Sequence, residues 1–264
     1  MSARLAARLK RLRTSSFFRQ ESNAGVVFGF SQLSALLSSP LRGHLTHVWY
    51  NCESAPPPLL SALPASVAVV QAPPSFFSST SGLVASPETC CAAEFSLPAA
   101  RTAQQVLSSS CQTVVLDRIS DPTNLGTILR TAQALRWSAL LAHGCCDPYN
   151  DKVVRGSCGA LFHVPWAWLG PGLGPTALSS NEGDETESRV LLLNPKAEEE
   201  LSSLVASCRA FSGSLRLVVG NEAHGLSREW LESKGALHVR LGPEGGVLNA
   251  ATAASLGMYT LGRF

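Results

Sequence analysis

The sequence predicts an α/β fold, a doubly wound parallel sheet that is preceded by a smaller α/β domain. Short apolar segments such as TVVLDRI (113–119) and LRLVVGNE (215–222) are typical of strands buried on both faces of a sheet. Segments with helical periodicity alternate with them from residue 113 onward, which favours parallel strands joined by helices. The 264 residues are 45% hydrophobic, which supplies a core for one or two domains and excludes an intrinsically disordered chain.

The N-terminal segment is basic and contains no acid before Glu21. Leu5, Leu9 and Leu12 fall on one face of a potential helix, which predicts a mitochondrial transit peptide over residues 1–24. The alternative is a basic arm that binds RNA phosphates. The cations of this segment are Arg4, Arg8, Lys10, Arg11, Arg13 and Arg19.

The rest of the chain is mildly acidic. Removing those six from the 21 Lys and Arg leaves 15 cations against 19 Asp and Glu, a net charge of −4. Binding to nucleic acid therefore requires local basic patches or a partner rather than a generally positive domain. No segment approaches the ~20 uninterrupted apolar residues of a membrane-spanning helix, so we expect no membrane partner. The eight cysteines show no CxxC spacing, so we expect free thiols, a reducing compartment and no metal.

Residues 25–85 predict a small α/β domain. The segment 25–39 begins as a strand and continues as a helix, and 44–51 is a strand by its β-branched and aromatic content. A proline-rich connection, a short helix and a further strand follow within 55–72. Residues 86–112 are rich in Ala, Ser and Cys without a strong period, and we predict that they are the linker between domains.

Residues 113–264 predict the larger domain. A helix over 124–135 follows its first strand, an Ala-rich helix ends the chain, and 170–188 is a loop without apolar period. Ligands of such sheets bind at the carboxyl ends of the strands, here in the turns after Val219 and Leu241. The other predicted strands and helices lie within 138–144, 151–169, 189–195, 201–206 and 239–241.

Three turns carry candidate functional residues, and the first turn is Asp121–Arg130. A strand ends there, Asn124 and Gly126 form a polar turn, and a helix begins. The guanidinium of Arg130 can reach back over the helix N-terminus, which attracts anions, so the pair suits a phosphate of RNA or of a nucleotide. The alternative is an ordinary capped helix with a solvated arginine.

The second turn, Leu217–Ser227, follows a buried strand. Gly220 and Gly225 bracket a polar segment, and glycine lets the backbone approach a flat ligand closely. Glu222 is unusually close to a strand end for a surface acid, whereas His224 has no partner at a spacing diagnostic of a catalytic base.

The third turn, Leu241–Asn249, runs from a strand through glycines into the Ala-rich helix. Asn249 can donate to and accept from a bound ligand. The alternative is that Asn249 only caps the helix.

Together the turns resemble the motifs of a known enzyme family. NLGTILRTA, VVGNEAHGLS and LNAATAA closely resemble, in order and spacing, the three motifs of the SpoU/TrmH-type (SPOUT) RNA 2′-O-ribose methyltransferases. KVVRGSCGALFHVPW is similar to the family's segment between the first two motifs. The resemblance covers residues 25–264 and is most specific over 113–264, the predicted methyltransferase domain, while 25–85 is similar to the family's small RNA substrate-binding domain.

The resemblance implies a trefoil knot in the larger domain, S-adenosylmethionine (AdoMet) as cofactor and no metal. It also implies a homodimer, or a heterodimer with a paralogue. The expected activity is 2′-O-ribose methylation of RNA, with ribosomal RNA favoured over tRNA. Together with the predicted transit peptide over residues 1–24, the resemblance implies a protein of the mitochondrial matrix.

The resemblance assigns roles to individual residues. It implies that Arg130 is held by the RNA phosphate and takes the proton of the ribose 2′-OH. Because arginine is normally protonated, positioning of the phosphate is the physically safer role. Asn124, Glu222 and Asn249 complete the implied catalytic set. The residues implied to contact AdoMet are Gly220, Asn221, Glu222, Gly225, Leu241, Leu248 and Asn249. Those implied to contact RNA are Arg130, Arg155 and Ser157.

The third motif departs from the family pattern. Gly246 and Val247 occupy the positions of a Glu-Ser pair, so a hydroxyl is missing from the catalytic centre. Ala251 replaces a small hydroxyl residue, and Arg240 stands where proline is expected. Two functions therefore remain open: an active methyltransferase, and a catalytically impaired relative that binds RNA and mitochondrial ribosome assembly intermediates. A dinucleotide-binding oxidoreductase is disfavoured, because the glycines of 170–174 lack the third glycine and the strand-to-helix setting.

Overall fold

The computed structural model describes residues 3–51, 58–84, 86–170, 178, 187–242 and 246–262. The strands are β1 (Ala24–Phe28), β2 (Leu45–Asn51), β3 (Ala68–Ala72), β4 (Cys91–Ser96), β5 (Gln112–Leu116), β6 (Ser138–Leu141), β7 (Trp166–Trp168), β8 (Ser188–Leu193), β9 (Ser214–Val219) and β10 (Leu237–Val239). The α-helices are α1 (Ala3–Thr14), α2 (Ser16–Ser22), α3 (Phe30–Leu37), α4 (Pro58–Ser61), α5 (Pro74–Ser81), α6 (Ala103–Ser109), α7 (Pro122–Ala134), α8 (Asp151–Gly156), α9 (Leu201–Ala210), α10 (Arg228–Leu231) and α11 (Ala250–Leu261). Most of the predicted loop 170–188, with its glycine run, and residues 243–245 of the third turn lie outside the described residues.

The chain divides into two compact units, of which the first comprises Met1–Ala99 and Asp147–His163. Its four-stranded sheet has the order β1-β4-β2-β3, with β4 antiparallel to both neighbours and β2 parallel to β3. The boundary between the two units, at Ala99 and Ala100, lies within the linker predicted over 86–112. The region is not an irregular connection, however, because it contains the interior strand β4 and the helix α6. The buried Ala92 and Ala93 of β4 are too small to give a recognisable strand pattern. The unit also extends beyond the predicted domain of residues 25–85.

The basic N-terminal segment folds as part of this first unit. Leu9 and Leu12 of α1 are fully buried in a core that includes Trp49. Arg13 Nη1 donates to the Ser81 carbonyl at 2.6 Å, which ties α1 to the end of α5. The segment predicted as a transit peptide is therefore a structural element here, and its targeting role stays a prediction.

Two further N-terminal cations form ion pairs within the unit. Arg8 Nη2 lies 2.6 Å from Glu94 Oε1 on β4. Arg19 is buried and its Nε donates to Asp147 Oδ2 at 2.8 Å. Because a buried guanidinium without a counter-charge is costly, Asp147 is needed to keep α2 docked.

The second unit, Ala100–Cys146 and Val164–Phe264, contains a six-stranded sheet of order β10-β8-β9-β5-β6-β7. Every neighbouring pair is parallel, which confirms the predicted parallel α/β fold. On one face, Val218 of β9 belongs to a buried core with residues of α6. On the opposite face α11 packs so closely that a Cβ added at Gly257 would lie 2.7 Å from Leu217 Cδ2. The carboxyl ends of these strands carry the candidate site.

Within the described ranges, no helix is long and apolar enough to cross a bilayer. No group of three or more His, Cys, Asp or Glu side chains among these residues is arranged to hold a metal ion. The described cysteines are free thiols. Burial raises the pKa of the Cys145 thiol to about 12, so this thiol is protonated at neutral pH.

Candidate functional site

The first turn connects β5 to α7 and is fixed by a helix cap. Asp121 Oδ1 accepts from the Thr123 N–H at 2.6 Å, and Pro122 begins the helix. This cap sets Asn124 near the N-terminal end of α7, with its side chain buried rather than directed to solvent.

The second turn follows β9 and is a tight loop closed by glycines. Asn221 and Gly225 exchange backbone hydrogen bonds of 2.9 Å in both directions. Asn221 Oδ1 also accepts from the N–H groups of Ala223 and His224 at 3.0 Å. Gly225 has φ +65°, and a Cβ at Gly220 would lie 2.4 Å from the Gly225 carbonyl carbon, so a larger residue at either glycine would strain or open the loop.

Glu222 of this loop accepts hydrogen bonds from the first turn. Its Oε1 accepts from Asn124 Nδ2 at 3.0 Å and from the Asp121 N–H at 3.2 Å. Its Oε2 accepts from Ser120 Oγ at 3.1 Å and from Asn221 Nδ2 at 3.2 Å. Burial alone would raise the pKa of Glu222, but the hydrogen bonds from Asn124 and from the backbone outweigh it and lower that pKa below its usual range. The carboxylate is ionised at neutral pH and fastens the two turns together.

Asn249 joins the third turn to the same network. Its Nδ2 donates to Asn124 Oδ1 at 3.0 Å, while its Oδ1 accepts from the N–H groups of Ala251 at 2.9 Å and Thr252 at 3.2 Å. Asn249 therefore caps α11, which was one of its two expected roles, and also binds Asn124. Since Asn124 also binds Glu222, the three motifs meet at the Asn124 side chain.

A cavity of about 550 Å³ opens at the carboxyl ends of β8, β9 and β10. The predicted cofactor-contacting residues that line it are Gly220, Asn221, Glu222, Gly225, Leu241 and Leu248. Asn249 is not among the described lining residues, although the adjacent Leu248 and Ala250 are. The second and third turns thus form one side of a single cavity.

Another wall of this cavity was not predicted from the sequence. It consists of Leu193 at the end of β8 and residues 194–196 after it, together with Leu231 and Val239. A signal was present, because RVLLLNP is a buried strand whose carboxyl end must lie at the ligand-binding edge of the sheet. Because no glycine turn follows β8, the sequence of residues 194–196 gives no sign that this connection binds a ligand.

The predicted RNA-contacting residues have different environments. Arg130 is exposed on α7, and no residue in the described part of the chain forms a hydrogen bond or ion pair with its guanidinium. Arg155, in the first unit, is partly buried and pairs with Asp151 at 2.9 Å. Ser157 is fully buried and its hydroxyl donates to the Val154 carbonyl at 2.9 Å. The Ser157 hydroxyl is thus buried and already hydrogen-bonded, whereas the exposed Arg130 side chain is available to an anion. The RNA-contacting roles of the three residues stay predictions.

A parallel α/β sheet with a glycine-bounded cavity at the carboxyl ends of its strands defines a ligand-binding α/β protein. The family model described as SpoU rRNA Methylase family matches residues 112–259, more than half of the chain. The protein belongs to the SpoU rRNA methylase family.

Named relatives are similar to the chain over part of their length. The 23S rRNA (guanosine(2553)-2′-O)-methyltransferase RlmP of Bacillus subtilis is 31% identical over 161 residues, 60% of this chain and 60% of the relative. The Homo sapiens protein named rRNA methyltransferase 3, mitochondrial, is 30% identical over 189 residues, 55% of this chain and 45% of the relative. The chain thus spans about 60% or less of the length of these relatives.

A solved structure shares the fold along nearly the whole chain. The SpoU methyltransferase AviRb from Streptomyces viridochromogenes, crystallised in complex with AdoMet, aligns over 99% of this chain and 97% of that chain. The TM-score is 0.79 at 21% sequence identity, which confirms the SpoU-type α/β fold.

Proposed function

We propose that the protein transfers the methyl group of AdoMet to a ribose 2′-oxygen of RNA, with ribosomal RNA as substrate. The observation that carries the proposal is the convergence of Asn124, Glu222 and Asn249 beside a cavity bounded by the second and third turns. The name of the relative RlmP, a 2′-O-methyltransferase of 23S rRNA, supports the reaction and the substrate class.

The cavity suits AdoMet in size and chemistry. Its volume of about 550 Å³ lies within the ~300–1,000 Å³ typical of small-molecule sites. Leu193, Leu226 and Val239 offer apolar walls to an adenine ring, and the turns offer backbone N–H and C=O groups. A Cβ at Gly225 or Gly246 would meet no atom within 4 Å, so the backbone is open to a ligand at both. When bound, AdoMet supplies the electrophilic methyl group.

The chain's own residues position the RNA. The ionised Glu222 holds Asn124 and with it the start of α7, the helix that carries Arg130. Because arginine stays protonated in proteins, we assign Arg130 to bind an RNA phosphate and to stabilise negative charge that develops on the 2′-oxygen. In this proposal the proton of the 2′-OH passes to solvent water, and S-adenosylhomocysteine is the leaving group. Such fixed orientation of the reacting groups supplies a large part of the rate acceleration in enzymes.

The reaction is tested with methyl-tritiated AdoMet and ribosomal RNA that lacks 2′-O-methylation. We expect radioactivity in RNA at one ribose, located by mass spectrometry, and none with the matched variant Arg130→Ala. A folded wild-type chain that binds AdoMet and ribosomal particles but methylates neither naked nor assembled RNA would contradict the proposal.

A second candidate function rests on Val247. This residue stands where the family has serine, lines the cavity and is 83% exposed, so no hydroxyl is offered there. In this alternative the protein binds RNA and mitochondrial ribosome assembly intermediates with strongly reduced methyl transfer. A methylation-negative chain that co-sediments with ribosomal precursors would favour it.

We also propose that the protein forms a dimer, with a second copy or with a paralogue, and has the knotted chain path of the family. On α11, Leu256 is 46% exposed and Tyr259 is 64% exposed, which is an apolar face that a partner would cover. Light scattering of the purified chain tests the homodimer. Tyr259→Glu is expected to yield monomers, and an unchanged mass would contradict an interface at α11.

The proposed location is the mitochondrial matrix. It is supported by the basic N-terminal segment and by the similarity to a protein named mitochondrial rRNA methyltransferase 3. A fusion of residues 1–24 to a fluorescent protein is expected to enter mitochondria, whereas a cytosolic signal would count against this location.

A further inference from the structure

Lys196 brings a positive charge to the wall of the cavity. It is the one Lys or Arg among the described residues that line the cavity, and its side chain is exposed. The loop that carries it follows β8, outside the three motifs from which the site was predicted. Lys196 is therefore not part of the hydrogen-bond network of Asn124, Glu222 and Asn249, and its role has to be argued separately.

The backbone at Lys196 is held by two neighbouring strands. Asn194, directly after β8, accepts from the Lys196 N–H at 3.0 Å through Oδ1 and from the Ala197 N–H at 3.0 Å through its carbonyl. Asn194 Nδ2 lies 3.2 Å from Nδ1 of His238 on β10, and Pro195 restricts the loop further. The backbone position from which the Lys196 side chain extends is thus fixed at the wall of the cavity.

Among the described residues that line the cavity, Lys196 and Glu222 are the Lys, Arg, Asp or Glu side chains. Glu222 also lines the cavity, but its carboxylate is engaged by donors of the first and second turns. In the described part of the chain, no carboxylate forms an ion pair with Lys196. An anionic group of a ligand would gain from the ammonium, and a cationic group would be driven away from it.

We infer that Lys196 binds the carboxylate of the methionine moiety of AdoMet and so sets the direction in which the ligand lies in the cavity. The inference rests on the proposed function, and the carboxylate is the anionic group that AdoMet contains. Its sulfonium and its amino group are cationic and are repelled by Lys196. S-adenosylhomocysteine (AdoHcy) retains the carboxylate, so Lys196 stabilises the product complex as well. The residue favours ligands with an amino-acid tail over those without one.

Calorimetric titration of the full chain separates the carboxylate from the rest of the ligand. The probes are AdoHcy and its decarboxylated analogue 5′-S-(3-aminopropyl)-5′-thioadenosine. Lys196→Met is expected to weaken AdoHcy binding about 5- to 10-fold and to change binding of the analogue less than about 2-fold. Lys196→Arg is expected to retain most of the affinity for AdoHcy. Lys152→Met, which removes an exposed lysine of the first unit, is the matched control.

The outcomes distinguish this inference from the proposed function. If Lys196→Met binds AdoHcy like the wild-type chain, or loses the same factor for both ligands, the carboxylate contact is overturned while cofactor binding stands. If the wild-type chain binds neither AdoHcy nor AdoMet, both the inference and the proposed function are overturned.

Discussion

The Asn124 side-chain nitrogen lies 3.0 Å from Glu222 Oε1, although the two residues are 98 positions apart in the sequence. The oxygen of the same amide accepts from Asn249 Nδ2 at 3.0 Å. An amide suits this position because it donates on one side and accepts on the other, which neither a carboxylate nor an apolar side chain does. Asn124 therefore couples the first turn to both loops that bound the cavity.

Replacement of Asn124 tests this coupling. Asn124→Ala is expected to lower the single-turnover methylation rate by about 100-fold, because displacement of the turns by even ~1 Å misaligns the reacting groups. Asn124→Asp is expected to be at least as damaging, since it sets a second carboxylate against Glu222. Thr123→Ala, on the exposed side of the same helix end, is the matched control. Wild-type rates in a folded Asn124→Ala protein would show that the bridge is dispensable.

The lowered pKa of Glu222 makes part of the folding stability dependent on pH. Because the folded-state pKa lies below the unfolded value of about 4.3, this stabilisation is present above that value and is lost as pH falls through the folded pKa. Glu222→Gln removes the titration. Thermal denaturation of both proteins between pH 3 and 7 is expected to show a difference in melting temperature that shrinks at acidic pH. A pH-independent difference would mean that the Glu222 charge does not fasten the turns.

Arg130 is exposed and lies outside the set of described residues that line the cavity. Arg130→Ala is therefore expected to abolish methylation and to weaken RNA binding, while AdoHcy affinity stays within about twofold, as for a phosphate-contacting cation. Calorimetry with AdoHcy and filter binding with RNA separate these effects. Loss of AdoHcy binding would instead place Arg130 in the cofactor site.

The parts of the molecule that were predictable are those whose signal is local. The strand β9 is an unbroken apolar run, and the glycines of the second turn mark a loop that needs φ > 0 and a close backbone approach. Asn124 and Glu222 could be named from the motif order, but their mutual hydrogen bond is a tertiary contact that no local pattern contains.

The N-terminal segment shows why other parts could not be predicted. A basic amphipathic helix has the same sequence pattern whether it is a targeting signal or packs on a sheet. Its partners Glu94 and Asp147 lie far along the chain, and Asp147 belongs to a segment inside the region matched by the family model. The strand β4 was missed for a different reason, since its alanines carry little strand preference and are buried by the surrounding chain.

The N-terminal helices are expected to be essential to the stability of the first unit. Leu12→Ala is expected to lower the free energy of unfolding by about 2–5 kcal/mol because it leaves a cavity in the core. Arg19→Met is expected to lower the free energy of unfolding by about 2–4 kcal/mol, because it leaves Asp147 without its cation. The loss is moderated because the Asp147 side chain is partly exposed to water. Arg4→Met, on the exposed face of α1, is expected to stay within about 0.5 kcal/mol. Urea denaturation measures the free energy of unfolding of all three variants. If Leu12→Ala and Arg19→Met are as stable as the wild-type chain, the segment is not a structural part of the unit.

Val247 allows the missing hydroxyl to be tested by gain of function. Val247→Ser is expected to raise the methylation rate by about 10-fold or more, because it returns a hydrogen-bonding group to the third turn. Val247→Ala is the matched control, since it reduces side-chain volume without adding a hydroxyl. If Val247→Ala raises the methylation rate above the wild-type rate as much as Val247→Ser does, side-chain bulk and not the hydroxyl matters at this position.

The central claim is that the cavity at the carboxyl ends of β8, β9 and β10 holds AdoMet. It is tested most directly by calorimetric titration of AdoMet and AdoHcy into the full chain, with Ala253→Phe as a variant that fills the cavity from α11. We expect saturable micromolar binding with one ligand per chain, and its loss in the folded Ala253→Phe protein. The absence of binding by a folded wild-type chain, or unchanged binding by Ala253→Phe, would contradict the account.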